Sequence, residues 1–155
     1  MKKSNLFKKI LIAVDDSKYS HQAATYGFLL AKKLDATIAL VHVDEFPIAL
    51  NVAGDPILGD SIPLIPDLMD IQKKSAEELF KNLKSEFGND LVQKEYILEG
   101  DIVTEIIEAA KEFEADMMVV GTHGRTGFNH FISGSIAEQI TRQAHCPVLI
   151  VPNKD

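Results

Sequence analysis

Short apolar runs alternate along the chain with longer segments whose apolar residues recur at helical spacing. The runs predict five strands, at residues 9–14, 37–43, 96–98, 117–120 and 148–151. Consecutive apolar residues are typical of strands that are buried on both faces of a parallel sheet. We therefore predict an α/β fold in which helices connect successive strands and cover both faces of the sheet.

Four helices are predicted between the strands. Either Ser17 or Ser20 can cap the first, the second spans residues 67–87 and closes at Gly88, Asp101 caps the third, and the fourth covers residues 135–144. The apolar face of the first helix is predicted to include Ala23, Ala24, Phe28, Leu29 and Ala31. That of the second is predicted from Leu68, Ile71, Leu79, Leu83 and Phe87.

The expected strand order is 3-2-1-4-5, in an open sheet with right-handed crossovers. Ligands of such sheets bind at the carboxyl ends of the strands, where the strand order reverses. The reversal lies between the first and fourth strands. The candidate site is therefore the crevice between residues 13–16 and residues 120–124.

A glycine motif occurs at this predicted crevice. Gly121 and Gly124 are followed, after nine residues, by Gly134 and Ser135 at the start of the last helix. Glycine allows positive φ and a close approach of the backbone to a ligand. A helix N-terminus offers amide donors to an anion. Together these features predict a phosphate-binding loop.

Each part of the motif also has a purely structural interpretation. Ser135 and Glu138 form a Ser-x-x-Glu capping box, which can satisfy a helix start without a ligand. Gly121 and Gly124 can serve only to shape a turn. The spacing and the position at the crevice favour phosphate binding over both. Arg125 either contacts a phosphate oxygen or lies in solvent, and the sequence leaves these alternatives open.

Composition limits the classes of function. The 155 residues fit one domain, residues 1–155. A net charge of −7 without a basic run argues against nucleic acid as a partner. No apolar run approaches the length of a membrane span, and the short apolar start is typical of a first strand and not of a signal peptide. The single cysteine, Cys146, agrees with a reducing compartment, so we predict a cytoplasmic location.

One connection, residues 44–66, is longer than usual. It joins the second strand to the second helix and is rich in Pro, Gly, Ile and Leu. A segment this rich in apolar residues is not typical of a solvated linker. We expect it to pack over a ligand or against a partner subunit.

The glycine motif and the ends of the chain resemble the universal stress proteins, and in particular their nucleotide-binding branch. Gly-x-x-Gly, nine residues and Gly-Ser match in full, residues 9–15 resemble that family's first strand, and residues 146–151 resemble its last. The resemblance implies a Rossmann-like, adenine nucleotide alpha hydrolase-like fold that binds ATP. It also implies a homodimer formed through the fifth strand, Val148–Val151.

The resemblance assigns a role to individual residues. It implies that Ala13 lines the base pocket, that Asp15 lies beside the adenosine and that Val43 contacts adenine. Val14, which stands between Ala13 and Asp15 in the sequence, is also implied to belong to the nucleotide site. The residues implied to wrap the ribose and phosphates are Gly121, Thr122, His123, Gly124, Arg125, Thr126 and Gly127. Those implied to complete the phosphate site are Gly134, Ser135, Ile136 and Ala137.

The sequence argues against a receiver-type magnesium site, a zinc site and an acid–base role for His42. Asp15-Asp16 is similar to the magnesium-binding pair of receiver domains, but the later strands end without the aspartate and lysine that a receiver needs. His123, His130, His145 and Cys146 lack the spacing of a zinc site. His42 is predicted to be a hydrogen-bonded core histidine and not an acid or base.

Three functions remain. The favoured one is an ATP-binding module of stress response or signalling with little or no turnover. The second is a slow ATPase or phosphotransferase with Mg²⁺ near Asp15, against which stands the lack of an evident base. The third is an interaction protein that works without nucleotide, against which stands the intact glycine motif.

Overall fold

The computed structural model describes residues 6–45, 64–122 and 135–152. Its five strands form one parallel sheet in the order β3-β2-β1-β4-β5, and the predicted order is thereby confirmed. The strands are β1 (Lys9–Ala13), β2 (Thr37–Asp44), β3 (Val92–Glu99), β4 (Met117–Gly121) and β5 (Val148–Val151). The helices are α1 (Lys18–Leu34), α2 (Leu64–Phe87), α3 (Ile102–Phe113) and α4 (Ile136–Gln143).

Successive side chains of the central strands point to opposite faces of the sheet and divide the core into two layers. On β1, Leu11 joins a cluster with residues of α3 and α4, whereas Ile10 and Ile12 join a cluster with residues of α1 and α2. All three side chains are fully buried. Since successive residues of a strand point to opposite faces, a continuous apolar run is what a sheet covered on both sides requires.

Polar side chains cap the N-termini of α1 and α3. Ser17, one of the two caps predicted for α1, accepts from the amide of Ser20. Asp101 accepts from the amide of Thr104 and caps α3, as predicted. Each cap satisfies an amide that has no partner within the helix.

The strand β3 is longer than the three residues predicted. Gln93, Lys94 and Glu95 are exposed, which interrupts the apolar pattern. Lys94 and Glu95 nevertheless pair with β2, and Gln93 lies at a shift of register just before them. An edge strand needs main-chain pairing on one side only and tolerates polar side chains. The hydrophobic pattern therefore underestimates its length.

Three residues predicted for the apolar faces of α1 and α2 are exposed. Leu29 is 50% exposed, Leu68 39% and Ile71 63%, so these parts of the predicted apolar faces lie outside the core. Helical spacing identifies a face of a helix, but the placement of the helix decides how much of that face meets the sheet. α2 also begins at Leu64, and not at residue 67 as predicted.

Most of the long connection lies outside the described residues. Asp44 belongs to β2 and Leu64 to α2, and the hypothesis of packing over a ligand or partner concerns residues 46–63 between them.

Of the helices in the described ranges, none has the length and apolar character needed to cross a bilayer.

Candidate functional site

The predicted crevice lies at the observed reversal of strand order. β1 pairs with β2 on one side and with β4 on the other, where Ile12 is the partner of Val119. The carboxyl ends of β1, at Ala13, and of β4, at Gly121, are therefore neighbours at the same edge of the sheet. This edge is the one at which open α/β sheets bind ligands.

Four of the predicted site residues share one face of the sheet. Ala13 on β1 and Val43 on β2 pack against the cluster that contains α3 and α4, and Ile136 at the start of α4 does the same. Ala137 is buried within this cluster. The structure thus brings the residues predicted for the base pocket and the first turn of α4 to the same side.

Val14 lies on the opposite side. Its side chain is buried in the cluster that contains α1 and α2. Its amide donates to the carbonyl of Val41 at 2.9 Å, and its carbonyl accepts from Nδ1 of His42 at 2.9 Å. Any contact of Val14 with a ligand on the α3 and α4 side would therefore have to come from its main chain.

Asp15 leads from β1 into α1 and is half-buried. Its Oδ1 accepts from the amide of Ser17 at 2.9 Å, and its own amide donates to Oγ of Ser20 at 2.6 Å. The first contact is an Asx turn, which aspartate forms readily. The position of the carboxylate is thereby set by the turn that starts α1.

Two buried polar residues lie beside this turn. Nε2 of His42 is 3.2 Å from Oδ1 of Asp44, and both side chains are less than a tenth exposed. The prediction of His42 as a hydrogen-bonded core residue is confirmed. Asp44 was missed, because the hydrophobic pattern placed it in the long connection. Its signal was its position two residues after His42, which puts both on one face of a strand.

The described part of the glycine motif begins at the end of β4. Gly121 and Thr122 are half-buried, and the amide of Thr122 donates to the carbonyl of Val151 at 3.1 Å. The remaining predicted loop residues, His123, Gly124, Arg125, Thr126, Gly127 and Gly134, lie outside the described residues.

Ser135 is the N-cap of α4. Its Oγ accepts from the amide of Glu138 at 3.3 Å, while the residue as a whole is exposed. The carboxylate of Glu138 also bonds Arg142 one turn later, at 2.7 Å. A serine hydroxyl that accepts one hydrogen bond still has a proton to donate. Capping and anion binding are therefore compatible at this position.

A separate cleft lies between β3 and α3, away from the strand-order reversal. It has a volume of about 430 Å³ and is lined in part by Tyr96, Glu105 and Glu112. Burial raises the pKa of Tyr96, and the nearby carboxylate of Glu112 adds to the effect. Its acidic lining is unsuited to a phosphate.

Within residues 6–45, 64–122 and 135–152, no three His, Cys, Asp or Glu side chains are grouped as metal ligands.

Comparison with known proteins gives a consistent result. The family model described as the universal stress protein family matches residues 6–152. Universal stress protein MJ0531 of Methanocaldococcus jannaschii is 37% identical over 97% of this chain and 86% of its own length. Universal stress protein YxiE of Bacillus subtilis is 29% identical over 94% of this chain and 99% of its own.

Solved structures agree on the fold. Universal stress protein UspA from Lactobacillus plantarum superposes with a TM-score of 0.76 at 21% identity, covering 94% of this chain and 97% of its own. A universal stress protein in complex with cAMP gives 0.66 at 19% identity, covering 96% and 98%. The family match, which spans nearly the whole chain, and the shared fold lead to one conclusion: this chain belongs to the universal stress protein family.

Proposed function

We propose that this protein binds an adenine nucleotide, with ATP as the expected ligand, at the carboxyl ends of β1 and β4. One observation carries the proposal. The glycine motif starts at Gly121, the last residue of β4, and β4 pairs with β1 at the point where the strand order reverses. The sequence predicted to bind phosphate thus follows the strand end at which this class of sheet binds ligands.

The chemistry of the described residues suits the two ends of a nucleotide. Ala13 and Val43 give an apolar surface of the kind that contacts a base, with the half-buried Asp15 nearby in sequence for polar contacts. Ser135 and the N-terminus of α4 supply a hydroxyl and a positive dipole end for phosphate. Binding through such neutral groups fits a chain of net charge −7.

The relative solved in complex with cAMP supports an adenine nucleotide as the ligand class. We infer that nucleotide occupancy is the signal of a stress-response module, with binding and not turnover as its main activity. We also propose a homodimer through β5, the edge strand at which Ile150 is 38% exposed.

Calorimetric titration with ATP, AMP, cAMP and adenosine tests this proposal. ATP is expected to bind more tightly than adenosine, because the glycine loop and α4 contact the phosphates. Failure of all four to bind at millimolar concentration would overturn it. A long phosphate-release assay with Mg²⁺, run on the same samples, separates a binding module from a slow ATPase.

A further inference from the structure

A single peptide group at the end of β1 is held by two buried side chains. The carbonyl of Val14 accepts from Nδ1 of His42 at 2.9 Å, and the amide of Asp15 donates to Oγ of Ser20 at 2.6 Å. These two atoms belong to the same peptide bond, which is planar and trans, so its carbonyl and amide point in opposite directions. His42 and Ser20 therefore hold this plane from opposite sides.

Burial makes this arrangement distinctive. In the described ranges the buried polar residues are Ser20, His42 and Asp44, each at most 6% exposed. All three take part: Ser20 and His42 contact the peptide directly, and Asp44 contacts His42. Buried polar side chains are costly unless paired. These three buried side chains are paired with one peptide group, Ser20 and His42 directly and Asp44 through His42.

The contacts of His42 on its two ring nitrogens determine how the ring is oriented. A carbonyl oxygen only accepts, so Nδ1 of His42 must carry a proton. Nε2 then faces Oδ1 of Asp44 at 3.2 Å. Asp44 thus contacts the ring of His42 at the nitrogen opposite to Nδ1 and holds the ring in the orientation in which Nδ1 faces the carbonyl of Val14.

The held peptide connects the predicted base pocket to Asp15. Ala13 precedes it, the carboxylate of Asp15 follows it, and Val43 lies between His42 and Asp44 on the opposite face of β2. A rotation of this peptide would move Asp15 relative to the apolar surface of Ala13 and Val43.

We propose that His42, with Asp44 behind it, and Ser20 are positioning residues of the nucleotide site, which fix the Val14–Asp15 peptide and so the adenosine end of the pocket. The inference rests on the proposed function. Because these residues act on the adenosine end, their loss is expected to weaken ATP and adenosine equally.

A matched pair of substitutions tests the contact to Val14. In His42→Asn the amide nitrogen can take the place of Nδ1 and donate to the Val14 carbonyl. In His42→Gln the longer side chain reaches towards Asp44 and leaves that carbonyl without its donor. We expect His42→Gln to raise the Kd of both ATP and adenosine about tenfold, the effect of one buried hydrogen bond, and His42→Asn to raise it much less.

Further variants separate positioning from loss of stability. Ser20→Ala removes the acceptor on the other side of the peptide and is expected to act like His42→Gln, which keeps the test open should that variant not fold. Ile38→Val, at the opposite end of β2, serves as the control. It should lower stability by about 0.5–1.5 kcal/mol through a lost core methyl group, with the wild-type Kd retained.

Ring-nitrogen NMR of His42 in the ligand-free protein gives a readout that does not depend on binding, and we expect a proton on Nδ1. An unprotonated Nδ1, wild-type affinity in folded His42→Gln or Ser20→Ala, or an equal loss in Ile38→Val would overturn the inference. If the wild-type protein binds, such results leave the proposed function intact. If it binds none of ATP, AMP, cAMP and adenosine, both fall together.

Discussion

Gly27 of α1 lies so close to Ile12 of β1 that a β-carbon at position 27 would be 2.4 Å from Cδ1 of Ile12. Ile12 is fully buried, and it immediately precedes Ala13 at the proposed base pocket. The missing side chain at position 27 therefore allows α1 to approach the strand that carries the site.

Gly27→Ala is expected to destabilise the protein. Overpacking of a core costs about 1–3 kcal/mol. The better helix propensity of alanine returns about 1 kcal/mol. The net loss is measured as the free energy of unfolding in urea.

Ile12→Val provides the control, because it removes the Cδ1 atom that the new methyl group would meet. In the double variant the two effects should not add, and Gly27→Ala should cost less in the Ile12→Val background than in the wild-type protein. Strict additivity would contradict a steric origin.

Ser135→Ala is expected to weaken ATP binding more than adenosine binding, by about tenfold or more, since a hydrogen bond to a charged group is lost. It should also cost about 1 kcal/mol of stability through the lost cap of α4. Asp101→Ala removes the cap of α3 and is the control for that stability loss, with ATP affinity unchanged. Equal weakening of ATP and adenosine would mean that Ser135 only caps its helix.

Gly124→Val is expected to abolish nucleotide binding with little effect on the unfolding midpoint. Gly124 lies outside the described residues, so this prediction rests on the glycine motif: a β-branched side chain would block close approach of the backbone to phosphate. Gly124→Ala should give a smaller loss. Calorimetric titration measures both, and wild-type affinity in the valine variant would refute the loop assignment.

Ile150→Lys is expected to dissociate the proposed dimer, because a charged residue on an exposed edge strand opposes pairing with a second copy. Ile71→Lys is the matched control, since Ile71 is 63% exposed on α2 and not on β5. Sedimentation equilibrium distinguishes them. A wild-type protein that is monomeric at high concentration, or an equal response of both variants, would refute pairing through β5.

Acid should weaken the cap of α3. The side-chain hydroxyl and the amide of Thr104 both donate to Asp101 and hold the pKa of that carboxyl below its ordinary value of 3.8. A group whose pKa is lower in the folded state stabilises the fold above its unfolded pKa, and this contribution is lost as pH falls through the folded pKa.

Asp101→Asn tests the pH effect, because asparagine also caps helices but does not titrate. Urea unfolding of both proteins from about pH 7 to about pH 3 should show the wild type losing stability relative to the variant. A difference that stays constant over this range would contradict the assignment.

The strand pattern predicted most of the fold. The apolar runs of β1, β2, β4 and β5 and the caps Ser17 and Asp101 are local signals. The strand order that we expected for an open parallel sheet of five strands is confirmed. The exposed residues of β3 and the exposure of Leu29 and Ile71 did not follow, because burial of a given face depends on which elements happen to cover it.

Some features of the candidate site could likewise be predicted from the sequence, and others could not. By itself, the sequence determined that a glycine motif follows β4 and that Asp15 follows β1, because motif and order along the chain are local information. Tertiary structure alone decided that Ser20, His42 and Asp44 meet at the peptide between Val14 and Asp15. These contacts join separate segments of the chain, and only strand pairing and helix packing bring such segments within hydrogen-bonding distance.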